Sequence, residues 1–269
     1  MHIKILGTSG PGAWPSLFCN GYASQRALEL GGKNMRSRSS ILVDQVLKID
    51  FPPDTFHQAV NYGFNFASIK YLFITRSSYN NFAAEEFRNL NPFLVNRKNL
   101  EYLRIFGNVE SMGLLKKFDS TLHATLHEIQ PYQMINIGNF VVYPIKAMNN
   151  GDIYPLNYVI RKGSRTMLYA TDTGLYEEKT WKNLKGLSVD VAIVECSQGP
   201  KKSTQTERMG LPDVLSYKRK AEEIGLTGSS TKWILTHFSQ QGGLLHEELE
   251  EVAKPFGFTV AYDGMEVVV

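Results

Sequence analysis

Short runs of β-branched and aromatic residues, each closed by Gly, Pro, Asn, Asp or Ser, recur along the chain and read as strands. Eleven such runs occur, from Ile3–Leu6 to Phe258–Ala261, and they include Ile69–Thr75, Phe140–Ile145, Met167–Ala170, Val189–Val194 and Trp233–Thr236. Between them the apolar positions recur at helical spacing over Cys19–Leu30, Asp54–Tyr62, Asn81–Asn89, Val109–Phe118, Glu177–Leu187, Asp213–Ile224 and His246–Phe256. The last of these carries acidic residues early and Lys254 late, which suits the helix dipole. Strands cluster early, then alternate with helices, and the order repeats in the second half. Two packed sheets with helices on their outer faces would bury these patterns, and an alternating parallel α/β sheet would do so nearly as well. No linker divides the chain, so one domain over 1–269 is expected. The polar stretch Gln198–Arg208, opening on Gly-Pro, is the best candidate for a long mobile loop.

Composition changes this picture little. The 269 residues are 43% hydrophobic and 20% charged, enough apolar material for a sizeable core. A formal net charge of +3 is too weak to argue for nucleic acid. Cys19 and Cys196 make no disulfide framework and no zinc-finger spacing. No apolar run approaches the ~20 residues that cross a bilayer, and the first residues do not read as a signal peptide. A reduced cytoplasmic protein without membrane contact is the expectation.

Several short motifs carry chemistry or its trace: Ile5-Leu-Gly-Thr-Ser9, Gly31-Gly-Lys-Asn-Met-Arg-Ser-Arg-Ser-Ser40, Lys48-Ile-Asp50, Tyr169-Ala-Thr-Asp-Thr-Gly174, Glu195-Cys-Ser197, Ile234-Leu-Thr-His237 and Tyr262-Asp-Gly-Met-Glu266. In this order and spacing the chain resembles the metallo-β-lactamase superfamily, most closely its PhnP-like cyclic phosphodiesterase branch. The resemblance implies an α/β fold, an αββα sandwich, with the active site along one edge of the two sheets. It also implies two metal ions about 3.5–4 Å apart that share a hydroxide nucleophile.

Seven positions would supply that centre, and five are substituted. Where the superfamily carries His-x-His-x-Asp-His, this chain reads Arg76, Ser78, Asn80 and Asn81, and the fifth position, after the strand Phe140–Ile145, falls at Asn149. Asp172 and His237 remain. Ser and Asn are poor zinc ligands, and Arg is a fixed cation that cannot coordinate. The branch's general-acid His maps to Arg208. Its second, structural zinc site is reduced to Cys19, with Gln240 at the later position.

Three readings follow. The favoured one is a degenerate homologue of metal-dependent hydrolases, silent in the ancestral chemistry and without a cofactor, in which Arg76 neutralises Asp172. An anionic small molecule would then be held by Arg76, Arg208, Ser77, Ser78 and the backbone N–H groups at the start of a helix at Asn81. The second is an active phosphoester hydrolase using one weakly bound divalent metal at Asp172 and His237, with Arg76 or Arg208 stabilising developing charge. The third is an interaction protein. Whether the chain is an enzyme stays open among them, as do its oligomeric state and ligand. Elsewhere, His123 and His127 are four apart but lie on a strand approach without the Glu of His-Glu-x-x-His. Gly7-Thr-Ser-Gly-Pro-Gly12 lacks the Gly-Lys-Ser/Thr ending of a phosphate loop, Cys196 reads as a packed residue, and Lys201-Lys202 and Lys218-Arg-Lys220 as solvated faces.

Overall fold

The computed structural model describes residues 1–90, 102–118 and 122–269. Among these residues the strands form two seven-stranded sheets. The first runs β14 (Glu266–Val268), β1 (His2–Gly7), β2 (Ser40–Val43), β3 (Leu47–Ile49), β4 (Tyr71–Phe73), β5 (Leu103–Gly107) and β6 (Ala124–Glu128). The second runs β13 (Phe258–Val260), β12 (Lys232–Thr236), β11 (Val191–Glu195), β10 (Arg165–Ala170), β9 (Leu156–Lys162), β8 (Phe140–Lys146) and β7 (Ile135–Ile137). The pattern predicted eleven strands. Those it missed are β7 and β14, three residues each, and β6, which it saw only as a strand approach.

Three apolar layers result. Between the sheets, Ile3, Ile5, Ile41, Phe73, Tyr158, Met167, Tyr169 and Ile193 interdigitate. Outside the second sheet, α4 (Glu178–Leu184), α5 (Leu211–Glu223) and α6 (His246–Ala253) bury Trp181, Tyr217 and Leu249 against Leu168, Val194 and Trp233. Tyr176, Trp181, Tyr217, Trp233 and Phe258 pass edge to face through this layer, centroids 4.8–6.4 Å apart. Outside the first sheet, α3 (Val109–Lys116) places Met112 and Leu115 against Leu72 and Ile105. The architecture is therefore the two-sheet sandwich rather than a single parallel sheet.

One predicted helix is absent. Over Asn81–Asn89 the chain instead pairs briefly as a strand: Phe51 N–H donates to the Asn81 carbonyl and Ala83 N–H to that of Phe51, both at 2.8 Å. Only then does it coil, as a 3₁₀ stretch over Ala84–Asn89. Phe82 and Phe87 are both buried in the outer core of the first sheet, their rings 5.7 Å apart edge to face, so their apolar spacing is met by a strand bridge and a 3₁₀ turn rather than by one α-helical face.

Candidate functional site

The second sheet sets up the site. Strands β10, β11 and β12 are parallel neighbours, with Ala170 opposite Val194 and Glu195 opposite Thr236. Their carboxyl ends deliver Asp172, Glu195 and His237 side by side, the position where parallel sheets present polar groups. One donor atom from each lies within 4.8 Å of the others, and all three side chains are buried. Asp172 and His237 adopt left-handed backbone, φ 54° and 58°, a conformation that costs a non-glycine residue energy and gathers at functional sites.

Two arginines converge on Asp172. Arg76, three residues beyond β4, comes from the first sheet and pairs its Nη1 with Oδ2. Arg208, from the loop between β11 and α5, pairs its Nη1 with Oδ1 and also lies 3.9 Å from Glu195 Oε2. Both guanidinium side chains are largely enclosed, 11% and 20% exposed. Each is seated by a glycine. A Cβ at Gly151 would collide with Arg76 Nη2, and one at Gly174 with the Thr206 carbonyl, two residues before Arg208. The loop expected to be mobile is thus fastened, and Ser203 N–H also donates to Asp213 at 2.7 Å.

Burial alone would raise the Asp172 carboxyl. His237, whose Nε2 lies 3.6 Å away, and the two guanidiniums outweigh burial and hold it below the usual carboxylate range. Glu195 goes the other way. Burial raises it, while His237 and Arg208 oppose the rise. Its oxygens accept the Thr173 N–H at 2.8 Å, the Ser197 hydroxyl at 2.6 Å and the Met209 N–H at 3.3 Å. The sequence reading quoted Glu195 within a motif but gave it no role. The available signal was a carboxylate closing the fully apolar strand β11, next in the sheet to the strand that ends before Asp172.

The remaining substituted positions are occupied with one another. Ser78 Oγ and Asn80 Nδ2 both donate to Asn81 Oδ1, at 2.9 and 2.6 Å, and Asn81 Nδ2 reaches Asp50 Oδ2 and Thr75 Oγ1 at 3.3 and 3.2 Å. Asn149 turns its amide N–H toward Asp172, 3.0 Å from the carbonyl and 3.4 Å from Oδ1, while its own oxygen accepts the Gly151 N–H. Ser77 is held by Asp152 through its N–H and its hydroxyl, at 2.7 and 2.9 Å. The anion site expected of Arg76, Arg208, Ser77, Ser78 and a helix at Asn81 is therefore not assembled. No α-helix begins there, both serines are engaged, and both guanidiniums face Asp172. Arg208 also borders a cavity of about 240 Å³, together with His237, Ser9, Ser197, Gln198 and Gln241.

These residues do not fit a pair of divalent ions. Of the seven positions implied by the resemblance, Asn149 offers its donor pole to the centre, Ser78 and Asn80 donate to Asn81, and Arg76 brings a positive charge. His123 and His127, the other candidate pair, stack separately on Tyr102 and Phe106. Among the described residues, Asp172, Glu195 and His237 form the one His/Cys/Asp/Glu group arranged to hold a metal.

No protein-family model matches the chain, and no curated protein sequence does. Solved structures do. A diphosphatase of the PhnP family superposes with a TM-score of 0.73 at 19% identity, over 99% of this chain and 97% of that one. Zinc-bound PqqB from Methylobacterium extorquens gives 0.76 at 14%, covering 100% of both chains. The metallo-β-lactamase fold protein YhfI from Bacillus subtilis gives 0.71 at 18%, over 99% and 98%. At these identities the likeness shows the fold. The chain has the metallo-β-lactamase fold.

Proposed function

We propose that this chain is a homologue of metal-dependent, phosphodiesterase-like hydrolases in which two guanidiniums have taken over the charge balance of the dinuclear centre. It is silent in the ancestral hydrolysis and binds a small anionic molecule in the cleft beside Arg208. The observation that carries this reading is the division of Asp172: each carboxylate oxygen is paired with a different arginine, and each arginine has a glycine-made seat. A buried carboxylate without a partner is costly, and here the partners are permanent cations. A divalent ion ~4 Å from a guanidinium would meet on the order of 8 kcal/mol of repulsion at an effective dielectric of about 20. Two such terms offset the like-sized attraction that Asp172 and Glu195 would exert, so the four charges leave little net pull on a cation. The ancestral nucleophile is a metal-bound water, and a site that does not draw in the metal does not generate it.

Elemental analysis tests the proposal, on protein incubated with Zn²⁺, Mn²⁺ and Mg²⁺ and cleared of excess. The expected result is metal content far below one ion per chain. Near-stoichiometric metal that disappears in Asp172→Ala would overturn it. That outcome would favour a second reading, a single divalent ion on Asp172, Glu195 and His237 with Arg208 displaced. Two observations favour this second reading: the mutual approach of those three donors, and a His237 Nε2 that is buried with no hydrogen-bond partner.

A further inference from the structure

A second concavity lies on the outer side of the first sheet and shares no described lining residue with the cleft beside Arg208. Three segments wall it: the turn after Asp50 with helix α2 (Thr55–Tyr62), the 3₁₀ turn Phe66–Ser68, and the 3₁₀ stretch Ala84–Asn89. Its volume, about 490 Å³, falls in the ~300–1,000 Å³ range of small-molecule pockets. Phe51, Phe56, Phe66 and Phe87 line it, and Ala59 and Ala67 leave room between the rings. The Phe51 ring meets Phe66 edge to face at 5.0 Å and lies tilted against Phe87 at 4.9 Å. Phe51 is itself pinned by its main-chain bonds to Asn81 and Ala83, so this wall is preformed. At the rim, Phe56 is 79% exposed, and Val60, one helical turn on, is 65% exposed. Apolar surface left in water around an aromatic concavity marks a place where something binds.

The polar groups decide what kind of molecule that is. The Thr55 hydroxyl donates to the Pro52 carbonyl at 2.7 Å, and the Asn89 amide donates to Glu86 Oε2 at 3.2 Å, so neither side chain is free to serve an anion. Among the described lining residues Glu86 is the one that carries a charge. Its neighbour Glu85 is paired with Arg88 and Lys117, whereas the Glu86 carboxylate meets only the Asn89 amide among the described residues. The concavity therefore combines four phenyl rings with one uncompensated negative charge. Ring faces and carboxylate both attract an ammonium group, and an anion finds no cation on the walls.

We infer that this concavity is a binding site for a small apolar amine, with its aryl or alkyl body among the four phenylalanines and its protonated nitrogen at Glu86. The charge it selects is opposite to that proposed for the cleft beside Arg208, and the site stands whatever the fate of metal at Asp172. Burial of the apolar body supplies most of the affinity, and the carboxylate at the rim supplies the choice of head group. An ion pair at an exposed rim shifts affinity about twofold to fivefold.

Calorimetric titration of the full chain at pH 7 with 2-phenylethylamine, 2-phenylethanol and 3-phenylpropionate tests this, because the three share a body and differ in head group. The expected order is amine tightest, alcohol about twofold to fivefold weaker, and carboxylate weakest. Glu86→Gln, a change on the surface, should bring the amine down to the alcohol and leave the alcohol where it was. Ala59→Leu should weaken all three by filling the space between the rings, and where that variant fails to fold, Ala67→Leu should do the same. Absence of saturable amine binding overturns the inference, as does a carboxylate that binds as tightly as the amine. An amine preference that survives Glu86→Gln, or amine binding unchanged by a folded filling variant, places the ligand elsewhere and overturns it too.

Discussion

Two carboxylates lie wholly buried just past strand ends, Asp50 after β3 of the first sheet and Asp172 after β10 of the second, and they meet opposite electrostatic fates. Asp172 is clasped by Arg76 and Arg208 and stays far below the usual range. Asp50 accepts the N–H and hydroxyl of Thr75, both at 2.8 Å, and the amide of Asn81, all neutral donors. Its nearest cation is Lys48, whose amine donates to Ser40 Oγ and to the Asp50 carbonyl rather than to the carboxylate. Burial wins there, and Asp50 is pushed up to about 6 while Lys48 is pushed down to about 7. Both carboxylates accept several hydrogen bonds. Only a full opposite charge in direct contact outweighs desolvation, and the molecule places that charge at Asp172 alone of the two.

The largest effect should come from breaking the clasp. Asp172→Ala leaves Arg76 without its carboxylate and Arg208 with only Glu195, 3.9 Å away, and a loss of about 3–5 kcal/mol in urea unfolding is expected. Adding Arg76→Met and Arg208→Met to that variant should return most of the loss, because the cost lies in the orphaned charges rather than in the missing carboxylate. A triple variant no more stable than Asp172→Ala would count against the clasp as a compensating pair.

Asp50 should respond with the opposite sign. Its folded value, about 6, lies above the ordinary 3.8, so the fold favours the neutral form. The stability it contributes is full below pH ~3.8 and is lost as pH rises through about 6. At 1.36 kcal/mol per unit this amounts to roughly 3 kcal/mol. Asp172 behaves in reverse: its contribution is full above the unfolded value of 3.8 and declines progressively as pH falls below that toward the depressed folded value. Asp50→Asn, which cannot ionise, should therefore gain on the wild type by up to roughly 3 kcal/mol between pH 4 and 6, whatever its offset at low pH. Parallel stability profiles for the two proteins over that range would refute the assignment.

This contrast also marks what could be read from the sequence. The strands were legible as apolar runs with clear turns, but the pattern suited a single parallel sheet nearly as well, and the sandwich followed from the resemblance carried by motifs such as Tyr169–Gly174 and Ile234–His237. The partnership of Arg76 with Asp172 followed from the resemblance together with charge, as it implies an arginine at a cation's former position opposite a retained carboxylate. The second arginine was visible as a residue but not as a partner. Its approach depends on the 198–208 loop folding back over Gly174, a long-range contact without a local signature. The helix misread at Asn81 has a similar cause, since Phe51 captures that segment from 30 positions away. Glu195 was overlooked because a lone carboxylate after an apolar strand looks the same whether it caps a strand or faces a site.

The smallest effect sharpens the comparison most. Asn149 stands at a position where the resemblance implies a histidine ligand, yet it points its amide N–H at Asp172 and thereby joins the two arginines in satisfying that carboxylate. If metal was excluded simply by losing ligands one at a time, Asn149→His would rebuild part of a centre beside Asp172, Glu195 and His237 and raise zinc retention. If the guanidiniums exclude it, the new imidazole meets a carboxylate already saturated by permanent cations. Zinc content should then stay unchanged, and stability should fall by only about 1 kcal/mol, the worth of the lost hydrogen bond. Zinc retained by Asn149→His at close to one ion per chain would show that charge is not what closes this site. Retention only when Arg76→Ala and Arg208→Ala are added would show that it is.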